Sequence, residues 1–269
     1  MTVLRFLSLS VVLVTLVLFG CATEEKDKTL KMKPEELYEE ARDSMNGALY
    51  DKAIGLYDKL EGRAAGTVLA QQAQLDKAYA LYRNGDRATA IVTLDRFIKL
   101  NPASPALDYA LYLKGTVNFN DDLGLLSKWF KQDLAERDQM AARESFEAYK
   151  ELVTRFPNSN YTPDATLRMR HIVNLLAKSE IKVARHYFKK GAYVAAINRA
   201  QTTLNDYQNI AAVEDALIIL IDSYEALGLT KLKDDTIRVL ESSYPQSQYF
   251  TDKAPPPPPT PSKSWYQFW

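Results

Sequence analysis

Few side chains in this sequence could support catalysis or bind a metal ion. The chain of 269 residues contains one cysteine, Cys21, and two histidines, His171 and His186. One thiol cannot form an internal disulfide or a cysteine-based metal cluster, and the two histidines do not have the spacing of metal ligands. The sequence also lacks the common nucleotide-binding, nucleophile-elbow and zinc-hydrolase motifs. These residues argue against several classes of enzyme and predict no metal site.

The chemistry open to the single thiol is lipid attachment. Cys21 follows an apolar run of 14 residues, 6–19, which is preceded by one cation, Arg5. Such a run is shorter than the ~20 residues of a membrane-spanning helix and is typical of a signal peptide. The sequence LFGC at 18–21 is similar to a bacterial lipobox. We expect residues 1–20 to be removed and Cys21 to carry N-acyl and S-diacylglycerol lipid, and the alternative is an ordinary signal peptide with an incidental cysteine.

The residues after the cysteine predict a flexible tether. Residues 22–33 are polar and charged and have no apolar stripe, so 21–33 form a lipidated cysteine and linker. Position 22 is Ala rather than the Asp that retains many bacterial lipoproteins at the inner membrane. The expected location is therefore the periplasmic face of the outer membrane of a Gram-negative bacterium.

Composition limits the partners further. Lys and Arg total 34, and Asp and Glu also total 34, which gives a formal net charge of zero. A chain without an excess of positive charge has no general field to attract phosphates, so nucleic acid is not an expected partner. Hydrophobic residues make up 46% of the chain, which is enough for a sizeable core.

The body of the chain, residues 34–250, has the pattern of short helices. Apolar residues recur at helical spacing, as at Leu37, Ala41 and Ser44, and strand-like alternation is absent. Turn signals rich in Gly, Pro and Asn interrupt the pattern at 46–47, 84–86, 101–102, 157–159, 190–191 and 227–228. Short helices joined by short turns indicate an all-α protein built from helical hairpins.

A repeated pattern of small and large residues identifies the type of hairpin. Tetratricopeptide repeats place a small residue early in the second helix, a large residue four positions later and a proline after the helix. The small-residue position falls at Ala53, Ala90, Ser145 and Ala196, and Lys233 replaces it in a fifth copy. Because one hairpin cannot bury its own apolar face, neighbouring hairpins must stack. We predict a tetratricopeptide-like solenoid of about five hairpins.

Two intervals between copies are longer than the rest. One contains an insertion at 118–138 with an apolar cluster that includes Trp129 and Phe130, which either binds a partner or folds over the third repeat. The other contains 164–190, which has no Gly or Pro and predicts one long helix or two nearly continuous helices. We therefore divide the body into repeats 1–3 at 34–160 and a connecting helix with repeats 4–5 at 161–250.

Stretches between the repeats are similar to one known family. They include DRFIKLNP at 95–102, PNSNYT at 157–162 and GAYVA at 191–195. Together with the lipobox and the five repeats, they resemble the BamD family, the lipoprotein subunits of the outer-membrane β-barrel assembly (BAM) machinery. The resemblance covers roughly Cys21 to Ser247.

The resemblance implies a scaffold that binds other proteins. Family members bind the POTRA domains of BamA through their C-terminal repeats and act beside other BAM lipoproteins. Their N-terminal repeats are thought to receive unfolded outer-membrane proteins, whose last strand ends in an aromatic residue. Asn198 and Arg199 match the side that faces BamA, although Arg199 would otherwise be a solvated charge.

The resemblance also suggests where substrates bind. Four tyrosines at helical spacing could line a substrate groove of the N-terminal half, namely Tyr79, Tyr82, Tyr109 and Tyr112. The alternative is that they form part of the core between hairpins, as aromatic residues in such repeats usually do.

The C-terminal segment, 251–269, lies outside the resemblance. Residues 254–261 form a Pro-rich run, which predicts an extended spacer in polyproline II conformation. Four aromatic residues follow it: Trp265, Tyr266, Phe268 and Trp269. We consider three roles for them, namely mimicry of an outer-membrane substrate signal, contact with the membrane interface, and docking on another assembly subunit.

Two other functions remain as alternatives. One is a different periplasmic repeat lipoprotein, acting in pilus assembly or in cell-wall coordination. The other is a membrane-tethered hydrolase whose catalytic residues come together only in the fold.

Overall fold

The computed structural model describes residues 28–119, 139–207 and 210–253. Within these ranges the chain forms helices joined by short turns, and none of the described residues lies in a β-strand. The all-α prediction is thus confirmed. The predicted lipid site Cys21, the apolar cluster of the insertion and the aromatic tail lie outside the described residues.

The chain divides into two compact units between Gly85 and Asp86. We call the part up to Gly85 unit 1 and the part from Asp86 onward unit 2. A short 3-10 helix, Lys28–Lys31, precedes the three helices of unit 1, which are α1 (Pro34–Asn46), α2 (Tyr50–Arg63) and α3 (Val68–Arg83). The described helices of unit 2 are α4 (Arg87–Leu100), α5 (Leu107–Asn118), α6 (Gln139–Arg155), α7 (Thr162–Lys189), α8 (Tyr193–Asp206), α9 (Ala212–Ala226), α10 (Thr230–Ser243) and α11 (Gln248–Lys253).

The helices begin and end at residues that suit those positions. The side chain of Thr67 accepts a hydrogen bond from the Ala70 amide at 3.2 Å and caps α3, and Asp86 caps α4 in the same way. Gly191 and Gly228 follow α7 and α9 with φ of 74° and 70°, a conformation that glycine adopts without steric cost. The turns therefore fall between the helices where the sequence predicts them.

The residues of the repeat pattern are buried as the pattern requires. Ala53, Ala90, Ser145 and Ala196 are completely buried on α2, α4, α6 and α8. At the fifth copy, Lys233 is partly exposed and lies 3.6 Å from Glu225 on the preceding helix. The small side chains allow two helices to approach closely, which is the physical basis of the repeat.

Each unit has its own apolar core. In unit 1, α2 packs against both α1 and α3, around buried residues that include Leu37, Tyr57 and Leu60. In unit 2 the helices from α4 to α10 each pack against the next in sequence, and α7 also packs against α9. This last contact joins the first helices of two successive hairpins, as expected for stacked repeats.

The stretch without glycine or proline forms a single helix, α7, of 28 residues. One side of α7 contacts α6, and other residues contact α8 and α9. The largest core cluster therefore continues from Leu107 on α5 to Tyr224 on α9. This core therefore includes residues on both sides of position 160. No described helix is long and apolar enough to cross a membrane.

Candidate functional site

Two of the four candidate groove tyrosines lie on α3 in unit 1. Tyr79 and Tyr82 are half-buried, with ring centroids 6.5 Å apart. Arg83 donates a hydrogen bond to the Tyr79 hydroxyl at 2.9 Å, and its guanidinium lies 5.5 Å from the ring centroid of Tyr50 and 5.7 Å from that of Tyr79. The arrangement presents aromatic rings beside a cation, a chemistry suited to aromatic or acidic peptide groups.

The other two candidates lie on α5 in unit 2. The rings of Tyr109 and Tyr112 both contact Tyr161, with centroid separations of 5.6 and 4.9 Å. Tyr161 precedes α7 and was not among the candidates, although it lies in one of the stretches that carry the family resemblance. The four candidates therefore form two separate pairs, each with different neighbours.

The hydroxyl of Tyr112 belongs to a network that joins the third and fourth hairpins. It donates a hydrogen bond to Asp164 Oδ2 at 2.7 Å, and Arg168 Nε donates to the same oxygen at 2.6 Å. The Arg168 guanidinium also lies 5.8 Å from the centroid of the Tyr112 ring. Burial alone would raise the pKa of Asp164, but the hydrogen bonds from Tyr112 and Arg168 outweigh it and lower the pKa.

This network engages the Tyr112 hydroxyl in a hydrogen bond between two helices, and the choice between a groove role and a core role stays a prediction. Burial, followed by the hydrogen bond to Asp164, raises the pKa of the Tyr112 phenol, so the phenol stays protonated and acts as a donor. The Tyr109 ring lies against that of Tyr161, and its role as a candidate for an external ligand stays a prediction. The Asp164 and Arg168 side chains were missed by the sequence analysis, although their spacing of four residues on one helix is a signal for an ion pair.

The candidate partner side is on α8. Asn198 and Arg199 are both exposed, and Arg199 Nη1 donates to Glu180 Oε2 on α7 at 3.0 Å. The Glu180 side chain is 4% exposed and that of Arg199 is 47% exposed. Arg199 therefore pairs with a buried carboxylate, while about half of its own side chain stays accessible to solvent.

The described residues of unit 2 line at least two grooves. The first, about 660 Å³, lies among α4, α5 and α6 and is lined mainly by charged side chains, among them Asp95 and Lys114, which form an ion pair at 2.5 Å. The second, about 580 Å³, lies between α6 and α7 and is lined mainly by apolar side chains. Volumes of this size are in the range of ~300–1,000 Å³ seen for ligand sites.

Nothing in the described ranges resembles a metal centre. No group of three or more His, Cys, Asp or Glu side chains that could hold an ion occurs among the described residues. His171 contacts the ring of Phe119 at a centroid distance of 5.9 Å, and His186 contacts that of Tyr187 at 6.2 Å. Each histidine therefore lies beside an aromatic ring.

Comparison with known proteins identifies close relatives. The family model YfiO, described as an outer membrane lipoprotein, matches residues 30–240. The outer membrane protein assembly factor BamD of Neisseria meningitidis serogroup A is 44% identical over 259 residues, which is 94% of this chain and 96% of the relative. The factor of the same name from Vibrio cholerae is 32% identical over 238 residues, which is 88% of this chain and 98% of the relative.

One solved structure also aligns with the chain. It contains nearly identical TPR-like repeats from Podosopora anserina, with 14% identity, a TM-score of 0.35, and coverage of 80% of this chain and 100% of that chain. A TM-score this low adds no weight to the fold assignment, which rests on the helices and their packing.

Proposed function

Because the chain belongs to the YfiO family of outer membrane lipoproteins, together with the BamD assembly factors, we propose that it is itself an outer-membrane protein assembly factor. In this role it is a scaffold that binds BamA and unfolded outer-membrane proteins and does not catalyse a covalent step. The observation that carries the proposal is the 44% identity to a meningococcal BamD over 94% of this chain. The relatives' family is one of assembly factors and not of enzymes.

The lipid anchor would hold the scaffold at its membrane. Family membership supports lipidation of Cys21, since the matching family model is that of an outer membrane lipoprotein. Each buried acyl CH₂ contributes ~0.8 kcal/mol, so a cysteine with several chains stays in the bilayer without a protein span. The proposed location is the periplasmic face of the outer membrane. A Cys21→Ala variant, compared with the parent by membrane fractionation, tests both the anchor and this location.

The C-terminal hairpins would bind the POTRA domains of BamA. Support comes from Arg199, whose half-exposed guanidinium is held by the buried Glu180 and so presents its remaining donors from a fixed position. Arginine forms bidentate hydrogen bonds with carboxylates, so an acidic side chain or loop is the expected partner group. Asn198 beside it is exposed and could extend the contact.

The tyrosine pairs would contact the substrate. Tyr79 and Tyr82 with Arg83 in unit 1, and Tyr109 with Tyr161 in unit 2, offer ring faces and edges for the aromatic end of an unfolded β-strand. Alanine variants of Tyr79 and Tyr109, compared with Tyr187→Ala as a control outside both pairs, distinguish the two sites. We expect one of the candidate variants to weaken binding of a peptide that ends in an aromatic residue, and no change in the control.

The first experiment is purification of the lipidated chain from detergent-solubilised membranes, followed by mass spectrometry of the proteins that accompany it. Recovery of BamA and other BAM lipoproteins in nearly equal amounts is expected. Recovery of pilus or cell-wall proteins without BamA would contradict the proposal.

A pair of variants then tests the BamA side. Arg199→Ala removes the guanidinium. Glu180→Gln breaks the same ion pair but leaves the Arg199 guanidinium in place. If Arg199 contacts BamA, the first variant reduces BamA recovery at least tenfold and the second does not. Equal losses would show that the ion pair serves only the fold, and thermal unfolding of both variants measures that contribution.

A further inference from the structure

The apolar groove between α6 and α7 has an unusual exposed surface. Partly exposed apolar side chains form its walls, and the same side chains pack against the unit 2 core beneath them. Its lining includes Phe146, Val153, Met169, Arg170, Val173 and Ile210. An accessible apolar concavity of about 580 Å³ normally marks a binding site in a soluble domain.

The chemistry of the groove favours an aromatic ligand. Arg170 is its only charged lining residue, and it is exposed at the edge of the apolar surface. An arginine beside an apolar surface can place its guanidinium over an aromatic ring that lies in the groove. The groove among α4, α5 and α6, in contrast, is lined mainly by charged side chains, so its rim is far more polar.

The described chain ends near one side of this groove. On the last helix, α11, Tyr249 and Phe250 pack against the small cluster formed by Leu217, Ile221 and Leu240. Leu217 lies seven residues after Ile210, which lines the groove, and at 1.5 Å per helical residue this is roughly 10 Å. The chain thus leaves the fold within a short distance of the α9 side of the groove.

The segment that follows has the length and composition to reach the groove. Sixteen residues, 254–269, follow α11, and the Pro-rich run at 254–261 would extend about 25 Å at ~3.1 Å per residue. Three residues, 262–264, separate this spacer from the aromatic side chains, which are Trp265, Tyr266, Phe268 and Trp269. These four side chains carry the apolar surface that such a groove can bury.

We propose that the aromatic end of the chain, residues 265–269, docks intramolecularly in the groove between α6 and α7. A linker that can span the distance makes docking an intramolecular event and raises the effective concentration of the tail, so even a weak intrinsic affinity gives a mostly docked tail. The groove is then occupied by the chain's own end until a competing aromatic segment or a partner displaces it. This inference does not depend on BamA binding or on substrate binding by the tyrosine pairs.

Tail tryptophans provide the readout. The chain has three tryptophans, Trp129, Trp265 and Trp269, so a Trp129→Phe background leaves only the two in the tail. We would prepare residues 22–269 in this background without detergent, which keeps every described helix. The expected emission is blue-shifted from that of a free peptide of residues 254–269. Acrylamide quenching should be roughly threefold weaker, because a pocket of this type buries most of its ligand.

Groove variants decide whether the tail occupies this particular surface. Met169→Glu should shift emission and quenching to the values of the free peptide. Leu167→Glu is the matched control, because Leu167 is on the same helix, is 59% exposed and does not line the groove. Arg170→Ala, at an exposed position, gives a second variant that does not endanger folding, and circular dichroism checks the helix content of all three.

The same peptide added to a chain truncated after Lys253 gives an independent measurement. We expect it to bind the truncated chain with a Kd in the sub-millimolar range and to bind the Met169→Glu form at least tenfold more weakly. The proposal is overturned if parent emission equals that of the free peptide, or if Met169→Glu and Leu167→Glu behave alike. It is also overturned if the groove binds an outer-membrane protein C-terminal peptide but not the tail peptide.

Discussion

Unit 1 and unit 2 share one arrangement, in which two tyrosines and an aspartate occupy corresponding positions of the helical repeats. In unit 1, Tyr38 on α1 donates to Asp76 Oδ2 on α3 at 2.9 Å, and its ring lies 6.2 Å from that of Tyr57 on α2. The tyrosine and aspartate thus join the first helices of successive hairpins. Tyr57 is the large residue of the repeat pattern between them.

Unit 2 repeats this arrangement two hairpins later. Tyr112 on α5 donates to Asp164 on α7, and its ring lies 6.0 Å from that of Tyr149, the large residue of the pattern on α6. The interplanar angles of the two tyrosine pairs are also close, 56° in unit 1 and 52° in unit 2. The same hydrogen bond and the same ring contact therefore occur twice in this chain, at corresponding positions of two repeats.

The two arrangements differ at two positions. Four residues after the aspartate, unit 1 has the buried Ala80 and unit 2 has Arg168, which hydrogen-bonds to Asp164. Three residues after the first tyrosine, unit 1 has Ala41 and unit 2 has Gly115. These two differences reverse the electrostatics of the aspartate and change how closely the helices can pack.

The electrostatic difference is visible in the pKa shifts. Burial raises the pKa of Asp76 above 3.8, although hydrogen bonds from Tyr38 and Gln72 act in the opposite direction. Burial also raises the pKa of Tyr38, together with the hydrogen bond to Asp76, to about 12. In unit 2, the hydrogen bonds that Asp164 accepts from Tyr112 and Arg168 overcome burial and lower its pKa. The pKa of the aspartate thus shifts upward where burial dominates and downward where burial is smaller and an arginine one helical turn away adds a hydrogen bond.

The largest expected effect concerns the packing difference. A Cβ placed on Gly115 would lie 2.5 Å from Cε1 of the buried Tyr149 ring, so Gly115→Ala forces the ring or the helix to move. We expect the free energy of unfolding to fall by about 2 kcal/mol, since overpacking costs ~1–3 kcal/mol and exceeds the gain in helix propensity. Urea denaturation followed by circular dichroism measures the change.

Gly55→Ala on α2 is the control for this prediction. A Cβ there would have no heavy atom within 4 Å, so the substitution should stabilise unit 1 by up to ~1 kcal/mol through helix propensity alone. Equal effects of the two substitutions would show that the close approach at Gly115 is not a constraint.

The next largest effect compares the aspartates. Asp164→Asn removes the charge that pairs with Arg168, and we expect a loss of about 1 kcal/mol at pH 7, because the pair is partly exposed and screened. Asp76→Asn removes a charge that burial disfavours. The amide oxygen of the asparagine can still accept a hydrogen bond from Tyr38 or Gln72, and its NH₂ group can donate one. The effect of this substitution should be within about 0.5 kcal/mol of zero or stabilising. A larger loss at Asp76 than at Asp164 would contradict the comparison.

An effect of similar size is expected from removing the phenol hydroxyls. Tyr38→Phe leaves the buried Asp76 with Gln72 as its remaining described donor, at 3.0 Å, whereas Tyr112→Phe leaves Asp164 with Arg168. Both changes should cost about 0.5–1.5 kcal/mol, with the greater loss in unit 1, where the carboxylate keeps no cation. Hydrogen exchange at backbone amides of α1 and α5 assigns the loss to each unit.

The smallest effect is the dependence of these differences on pH. Asp164 has a lowered folded pKa, so its contribution is present above the unfolded pKa and is lost as pH falls through the folded value. Asp76 has a raised folded pKa, so its contribution is present below the unfolded pKa and is lost as pH rises through the folded value. From pH 7 to pH 3, the deficit of Asp164→Asn should shrink, and any advantage of Asp76→Asn should shrink as well. Denaturation at a series of pH values checks both trends, and parallel curves for the parent and variants would contradict them.

The family and the helical repeat followed from the sequence because both depend on local patterns. Small residues such as Ala53 and Ala196, turns at positions such as Gly191, and the stretches around Asp95 and Pro157 occur at fixed spacings along the chain. Helix propensity, turn chemistry and the 3.6-residue period act over a few residues, so the sequence displays them directly. The prediction of helical hairpins and the resemblance to BamD proteins both rest on this local information. The structure has the helices, and BamD relatives match most of the chain.

The roles of particular side chains could not be read in the same way. The sequence presented Tyr79, Tyr82, Tyr109 and Tyr112 as one candidate set, but the structure gives each pair different neighbours and gives Tyr112 a structural hydrogen bond. Tyr112 and Asp164 are 52 residues apart, and their contact exists only because α5 and α7 are first helices of adjacent hairpins. No local pattern predicts which of several polar groups will meet across such a distance.

Arg199 illustrates the same limit at the partner side. The sequence marks it as a charge on a helix that resembles the BamA-facing helix of the family, but its pairing with a buried Glu180 depends on the packing of α8 against α7. The sequence by itself determined the helices, their order, their repeat and the family, since these follow from short-range spacing. Only the tertiary structure decided which aspartate carries a cation, which glycine lies against a ring and which surface stays apolar and open, because those properties depend on side chains brought together from distant positions.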